Sequence, residues 1–176
     1  MERRAALGGC GYRLYVTGVV LVGAWYFLLQ TACIPPSDRQ LTALLHKEQR
    51  SYDALRDVLL ADNRTLDIRI VWNDRDLRFH REGDRAGDNR TASELPPERA
   101  RLYRRLLTAT HVKSVYLLDG GKAVVFQVWG YGLPPDVWNF RGVVWGKGDP
   151  ATRWDGGGFT TKPLGEGWYL FEDWNS

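Results

Sequence analysis

The chain has 176 residues, of which 26% are charged and 44% hydrophobic, and this length and composition predict one folded domain with a short appendage and exclude a disordered chain. Residues 14–176 contain 21 basic and 20 acidic side chains, a net charge of only +1, so this part lacks the basic surface that binds nucleic acid. The two cysteines, Cys10 and Cys33, are too few for a disulfide framework, and none lies beyond position 33 to form a disulfide or a thiolate metal site.

The N-terminal part of the chain contains an uncharged segment. Residues 14–32 carry no charged side chain, and a helix of about 20 apolar residues is needed to cross the hydrocarbon core of a bilayer. Three arginines precede this segment and no basic residue lies close after it, which places the N-terminus in the cytoplasm and exports the rest of the chain. We predict a cytoplasmic region over residues 1–13, a transmembrane or signal segment over 14–32, and localisation at the cell membrane with the domain on the periplasmic or extracellular side.

The uncharged segment ends in the sequence LLQTAC, residues 28–33. The small residue Ala32 directly before Cys33 resembles the signal sequence of bacterial lipoproteins, although Gln30 stands where that signal usually has leucine. The resemblance implies that the chain is cut before Cys33 and that Cys33 is diacylated. The alternative is an uncleaved anchor in which Cys33 is a small apolar residue at the end of the span. Either alternative tethers the domain, with the membrane as partner through residues 14–32 or through the lipid.

A linker and a long helix come after the apolar segment. Residues 33–37 include two prolines, which block helix propagation and give a stiff, extended connection. Ser37 and Gln40 stand three residues apart in a capping-box pattern, and apolar residues then recur at helical spacing. These patterns predict one helix over residues 38–61, at the start of an exported domain that spans residues 38–176.

Beyond this helix the sequence predicts a strand, a loop and a second helix. The stretch TLDIRIVW, from Thr65, alternates apolar and charged residues as a half-buried strand does, and the charged residues 73–94 predict a loop or a frayed hairpin. Two prolines open the second helix, within residues 95–112. This helix contains a cluster of three arginines, Arg101, Arg104 and Arg105. The cluster forms either a solvated face or a site for phosphate or lipid headgroups.

The last third of the chain is predicted to form mainly strands. The stretch KSVYLLDGGKAVVFQVWGYGL predicts a β-hairpin around an Asp-Gly-Gly turn, and further strands are predicted near residues 141–147 and 167–173. The segments 134–140 and 153–167 are rich in turn-forming residues. The predicted fold class is α+β: an N-terminal transmembrane or signal helix, followed by a small domain with an antiparallel sheet of four to five strands packed on two helices.

Aromatic residues are concentrated near the C-terminus, where six of the eight tryptophans lie between residues 129 and 174. Because successive residues of a strand point to opposite faces, one face of a sheet cannot hold them all. They predict either a tryptophan-rich core with aromatic lids or a binding surface for an envelope protein or a glycan. Trp138, Phe140 and Trp154 lie in predicted loops and are the candidate binding residues.

The sequence contains no motif for nucleotide binding, for a zinc protease or for a catalytic serine, and we predict no catalytic residue, metal site or cofactor. A hydrolase is one alternative, in which His80 acts as a base, or Asp155 and Glu172, with Asp173 beside them, supply paired carboxylates. A glycan- or cell-wall-binding domain that uses the C-terminal aromatic residues is the other alternative. The main prediction is a membrane-tethered envelope protein that acts as a non-catalytic interaction or accessory module.

Overall fold

The computed structural model of the chain describes residues 34–85, 87–133, 137–153 and 158–175. The predicted cytoplasmic region, the uncharged segment and Cys33 lie outside the described residues, as do Trp154 and Asp155. In the described part, no helix is both long enough and apolar enough to cross a membrane.

Three helices and seven strands form the described part of the chain. The helices are α1 (Asp38–Lys47), α2 (Gln49–Leu66) and α3 (Pro97–Ala109). The strands are β1 (Ile68–Trp72), β2 (Phe79–Arg81), β3 (Ser114–Leu118), β4 (Ala123–Leu133), β5 (Val137–Gly146), β6 (Phe159–Gly165) and β7 (Trp168–Asn175). They form one antiparallel sheet in the order β2-β1-β3-β4-β5-β7-β6. The predicted α+β class is confirmed. The predicted numbers of four to five strands and two helices are wrong, because the described part has seven strands and three helices.

The third helix arises from a break in the predicted first one. Ser37 caps α1 as the capping box predicts: its hydroxyl accepts a hydrogen bond from the Gln40 amide at 3.4 Å, and its own amide donates to the Gln40 side chain at 2.8 Å. The predicted helix over residues 38–61 is then interrupted at Glu48, whose backbone leaves the helical conformation, and α2 starts at the next residue.

The two strands beyond the predicted ones are β2, within the predicted loop or frayed hairpin of residues 73–94, and β6, within a stretch predicted as turns. Other strand boundaries differ from the prediction. Asp67 ends α2 in a left-handed conformation with a φ of 57°, so β1 begins at Ile68, three residues after its predicted start. Residues 137–140 extend β5, and the turn-rich stretch Phe159–Gly165 forms the edge strand β6. Pro163 is tolerated in β6 because an edge strand pairs on one side only.

One face of the sheet, the inner face, packs against the helices. Its core joins Leu41, Leu45, Tyr52, Leu55, Leu59, Tyr103 and Leu107 of the helices to Val115, Val124, Phe126, Val143, Trp168 and Leu170 of the strands. Tyr52 is fully buried, with its ring centre 5.3 Å from that of Phe126, and its hydroxyl donates to the Thr110 carbonyl at 2.9 Å. Full burial of each large apolar side chain contributes about 1.5–3 kcal/mol to folding, so this layer holds the helices on the sheet.

The other face, which we call the outer face, carries no α-helix in the described part of the chain. Its apolar cluster consists of the buried Ala123, Val125, Val144, Phe159 and Phe171 and the half-buried Tyr116, Leu118, Phe140, Ala151 and Tyr169. Ala151 belongs to a short 3₁₀ turn, Pro150–Arg153, that packs on this cluster. The sheet therefore has two apolar faces, and the helices cover one of them.

The start of the domain is bonded to the sheet. Arg141 of β5 donates to the Pro36 carbonyl at 2.7 Å and to the Asp38 carboxylate at 2.6 Å, and Lys162 of β6 donates to the same carboxylate at 3.0 Å. The hydrogen bond from Lys162 and the charges of both cations lower the pKa of Asp38. Glu172 of β7 lies 3.7 Å from Nε of Arg141. These contacts hold the first turn of α1 against β5 and β6.

Candidate functional site

Aromatic side chains of the outer face lie directly over glycines. Phe140 of β5 covers Gly130 of β4, where a methyl group added to the glycine would lie 2.8 Å from the ring. Phe171 of β7 covers Gly142 of β5, where an added methyl would also lie 2.8 Å from the ring. Phe171 in turn stacks on Phe159, with ring centres 5.4 Å apart. The glycines thus let the rings approach the sheet more closely than any other residue would allow.

A buried carboxylate lies within this aromatic cluster. Asp173 of β7 is paired with Phe140 on one side and with Phe159 on the other, and strand alternation places it on the same face as Phe171. Asp173 is 2% exposed, and its Oδ1 atom has no hydrogen-bond partner among the described residues. Burial raises the pKa of this carboxyl above its ordinary value.

Tyr116 of β3 is electrostatically coupled to Asp173. Burial is the main cause that raises the pKa of Tyr116, and the negative charge of Asp173 raises this pKa further. A buried polar group without a partner costs the folded state about 1–3 kcal/mol, and more when it is charged. Oδ1 of Asp173 is therefore a buried acceptor that no described residue satisfies.

Of the three candidate binding residues, Phe140 has its side chain described, and it lies at this site; Trp154 lies outside the described residues. Phe140 is half-buried in the outer-face cluster, next to Asp173. Trp138 lies in the same strand, where its backbone pairs with β4 and β7, and its side chain lies outside the described residues. The loop placement predicted for Trp138 and Phe140 is wrong, because β4 and β7 both extend far enough to pair with this part of β5.

Of the residues in the hydrolase alternative, His80 and Glu172 lie far apart, and Asp155 lies outside the described residues, so the pairing of Asp155 with Glu172 stays a prediction. His80 is half-buried on β2, and Glu172 is on β7, five strand positions away, or about 24 Å at the usual strand spacing. Glu172 is on the inner face beside Arg141, whereas its neighbour Asp173 is on the outer face. The described geometry thus separates His80, Glu172 and Asp173 into three different environments.

Sequence reasoning missed the contribution of Tyr116 and of the two covered glycines. The stretch WYLFEDW does show that Asp173 shares a face with Tyr169 and Phe171, because the three residues stand two positions apart. No sequence signal shows which strands lie beside β7, since β5 and β6 are brought to it by the order of the sheet.

Neither a metal cluster nor a likeness to a known protein assigns a chemistry to the outer face. Among the described residues, no three side chains of histidine, cysteine, aspartate or glutamate come close enough together to hold a metal ion. Comparison of the chain with protein-family models, curated proteins and solved structures finds no significant match in any of the three. The function is therefore inferred from the residues and their geometry.

Proposed function

We propose that the chain is a membrane-tethered protein of the bacterial envelope whose domain acts as a non-catalytic interaction module. The anchor is the uncharged segment 14–32 or a lipid on Cys33, the N-terminus is cytoplasmic, and the domain is on the periplasmic or extracellular side. The arginines before the segment and the small residue Ala32 before Cys33 support this arrangement. The partner is an envelope protein that binds the outer face of the sheet.

The single observation that supports the interaction role most strongly is the environment of Asp173. A buried carboxylate lies between Phe140 and Phe159 on the outer face, and one of its oxygens has no hydrogen-bond partner among the described residues. Aromatic side chains supply large contact areas at interfaces, and a desolvated carboxylate selects a partner that offers a hydrogen-bond donor. The half-buried Tyr116 and Tyr169 give a partner further area to cover.

The connection before α1 supports a tethered role. Residues 33–37 form a short linker that contains two prolines, and Arg141 bonds both Pro36 and Asp38 to the sheet. The first residues of the domain are therefore held by the sheet.

Site-specific photo-crosslinking in living cells tests the interaction role. A photoreactive phenylalanine analogue replaces Tyr169 on the outer face and, as a matched control, the exposed Ala61 on α2. We expect position 169 to crosslink to one envelope protein, position 61 to give no such product, and the product to disappear when Asp173→Ala is added. A product from both positions, a product that survives Asp173→Ala, or no product from position 169 contradicts the proposal.

A glycan- or cell-wall-binding domain is the second candidate, and the same carboxylate favours it. Sugar hydroxyls can donate hydrogen bonds to the Asp173 carboxylate, and a sugar ring can stack on an aromatic side chain of the outer face. Retention of the full-length protein on a column of isolated cell-wall polysaccharide, lost in Phe140→Ala, supports this role. If the protein is retained on the polysaccharide column and position 169 gives no crosslink to a protein, the glycan-binding role replaces the role as a protein-interaction module.

A further inference from the structure

A groove lies between α2 and α3, and none of its residues belongs to the outer face. Its volume is about 730 Å³, which is within the range of small-molecule sites. Asp62 and Leu66 of α2 line it one helical turn apart, and Arg101, Leu102 and Arg105 of α3 line it with the same periodicity. Each helix thus lines the groove with residues of one face. Leu66 and Leu102 form its apolar surface, and charged side chains lie around them.

The inner end of the groove contains the carboxylate of Asp62, which is 1% exposed. Among the described residues, no donor meets either carboxylate oxygen in full hydrogen-bond geometry, although the Tyr103 hydroxyl lies close enough to act as a weak donor to the carboxylate. Nε of Arg99 lies 3.4 Å from Oδ1 of Asp62, in an ion pair without hydrogen-bond geometry. Burial raises the pKa of Asp62, and the weak hydrogen bond from Tyr103 and the positive charge of Arg99 offset this only in part. The groove therefore ends in a carboxylate that Tyr103 and Arg99 satisfy only in part and that has acceptor sites left for a ligand.

The mouth of the groove is basic. Arg101 and Arg105 are exposed, and neither forms an ion pair or a side-chain hydrogen bond with a described residue. Arg104, on the same helix, instead donates to the Arg75 carbonyl at 3.1 Å and does not line the groove. Glu98 is the exposed carboxylate on the rim, so three arginines face two carboxylates. Guanidinium groups bind phosphate oxygens through paired N–H groups.

We propose that this groove binds a phosphate ester of a polyol. The phosphate lies at Arg101 and Arg105, the hydroxyl groups donate to Asp62, and the carbon skeleton packs against Leu66 and Leu102. A soluble sugar phosphate or glycerol phosphate has this chemistry, and so does the headgroup of phosphatidylglycerol. The site is separate from the outer face and does not depend on the proposed function.

Calorimetric titration of the full-length protein in an uncharged detergent tests the arginines. Glycerol 3-phosphate is the soluble probe, and short-chain phosphatidylglycerol is the lipid probe. We expect the double variant Arg101→Ala/Arg105→Ala to bind both at least about tenfold more weakly, because it loses charge-assisted hydrogen bonds to phosphate. Arg104→Ala is the matched control and binds as the wild type does. The probe that binds more tightly identifies the source of the ligand.

A second comparison tests the hydroxyl contacts at Asp62. Propyl phosphate lacks the hydroxyl groups of glycerol 3-phosphate, and we expect the wild type to bind it about fivefold more weakly. This preference disappears in Asp62→Ala, whose folding is checked by far-ultraviolet circular dichroism because alanine is compatible with α2. Failure of both glycerol-containing probes to bind, equal weakening by Arg104→Ala and by the double variant, or equal binding of the two soluble phosphates overturns the proposal.

Discussion

Phe140 and Asp173 are paired directly across the ladder between β5 and β7, so an aromatic ring and a carboxylate whose Oδ1 has no partner among the described residues are neighbours on the outer face. Folding removes water from this carboxylate without giving Oδ1 a partner there, which destabilises the isolated domain. Positions that are costly to stability are common where a protein binds a ligand, because binding supplies the missing contact. We therefore expect a substitution of Asp173 to increase the stability of the domain and to weaken binding of its partner.

Replacement of Asp173 by asparagine is expected to stabilise the domain. Asp173→Asn removes a buried charge at nearly constant volume and should raise the free energy of unfolding by about 1 kcal/mol at pH 7. Glu172→Gln, the adjacent residue on the inner face beside Arg141, is the matched control and should leave stability unchanged or slightly lower. Urea unfolding of the full-length proteins in detergent measures both. A loss of stability in Asp173→Asn would mean that the carboxylate has a partner.

The pH dependence of stability provides an independent check on the same group. Because the pKa of Asp173 is raised in the folded state above its ordinary value of 3.8, the folded protein binds more protons than the unfolded chain between these two values. The contribution of Asp173 to stability therefore improves as the pH falls from neutral towards 3.8. The stability difference between the wild type and Asp173→Asn should shrink over this interval in urea unfolding at several pH values. A constant difference would contradict the raised pKa.

The covered glycine of β5 should not accept a side chain. In Gly142→Ala the new methyl group would lie 2.0 Å from the backbone oxygen of Phe126, so we expect a loss of about 3 kcal/mol or a failure to fold. Gly83→Ala is the matched control: no atom lies within 4 Å of the added methyl, and only the positive φ of 89° opposes it, at a cost of about 1 kcal/mol. Thermal unfolding compares the two variants. Equal losses would show that Phe126 and Phe171 do not approach Gly142 closely.

Elements that neighbouring residues specify are predictable from the sequence. Ser37 and Gln40 identify the start of α1, and the turn at Asp119–Gly121 identifies the hairpin of β3 and β4. Strand β6 is not predictable in the same way, because the glycines and Pro163 favour turns and its formation depends on pairing with β7. Tertiary pairing outweighs local preference there.

The candidate sites depend even more on tertiary contacts. Phe140 is identified as a binding candidate from the sequence, but its position beside Asp173 results from the order of β5, β7 and β6. Arg101 and Arg105 are visible as an arginine cluster, whereas Asp62 joins them only because α2 packs against α3. The apolar periodicity of one helix does not indicate which other helix packs against it. The groove between α2 and α3 therefore cannot be predicted from the sequence.

The contacts of Arg141 should be important for stability. Arg141→Ala removes hydrogen bonds to the Pro36 carbonyl and to Asp38, and leaves the latter with Lys162 alone, so we expect a loss of about 2 kcal/mol. Arg69→Ala, at an exposed position of β1, is the control and should change stability by no more than about 0.5 kcal/mol.

A double-mutant cycle separates the pair from the rest of the network. The combined variant Arg141→Ala/Asp38→Ala should lose less stability in urea unfolding than the sum of the single variants, because the two residues share a hydrogen bond. Additive losses would show that Arg141 and Asp38 contribute independently to stability. Their contact would then not hold the start of α1 against the sheet.

Protease accessibility of the domain in intact spheroplasts, combined with fractionation of the cells, tests most directly whether the domain is tethered and exported. We predict that the protein is in the membrane fraction and that external protease digests the domain while a cytoplasmic control protein stays intact. Acyl labelling beside a Cys33→Ala variant then distinguishes a lipid on Cys33 from an uncleaved span of residues 14–32. Recovery of the protein in the soluble cytoplasmic fraction, protected from protease, would contradict a membrane-tethered, exported domain.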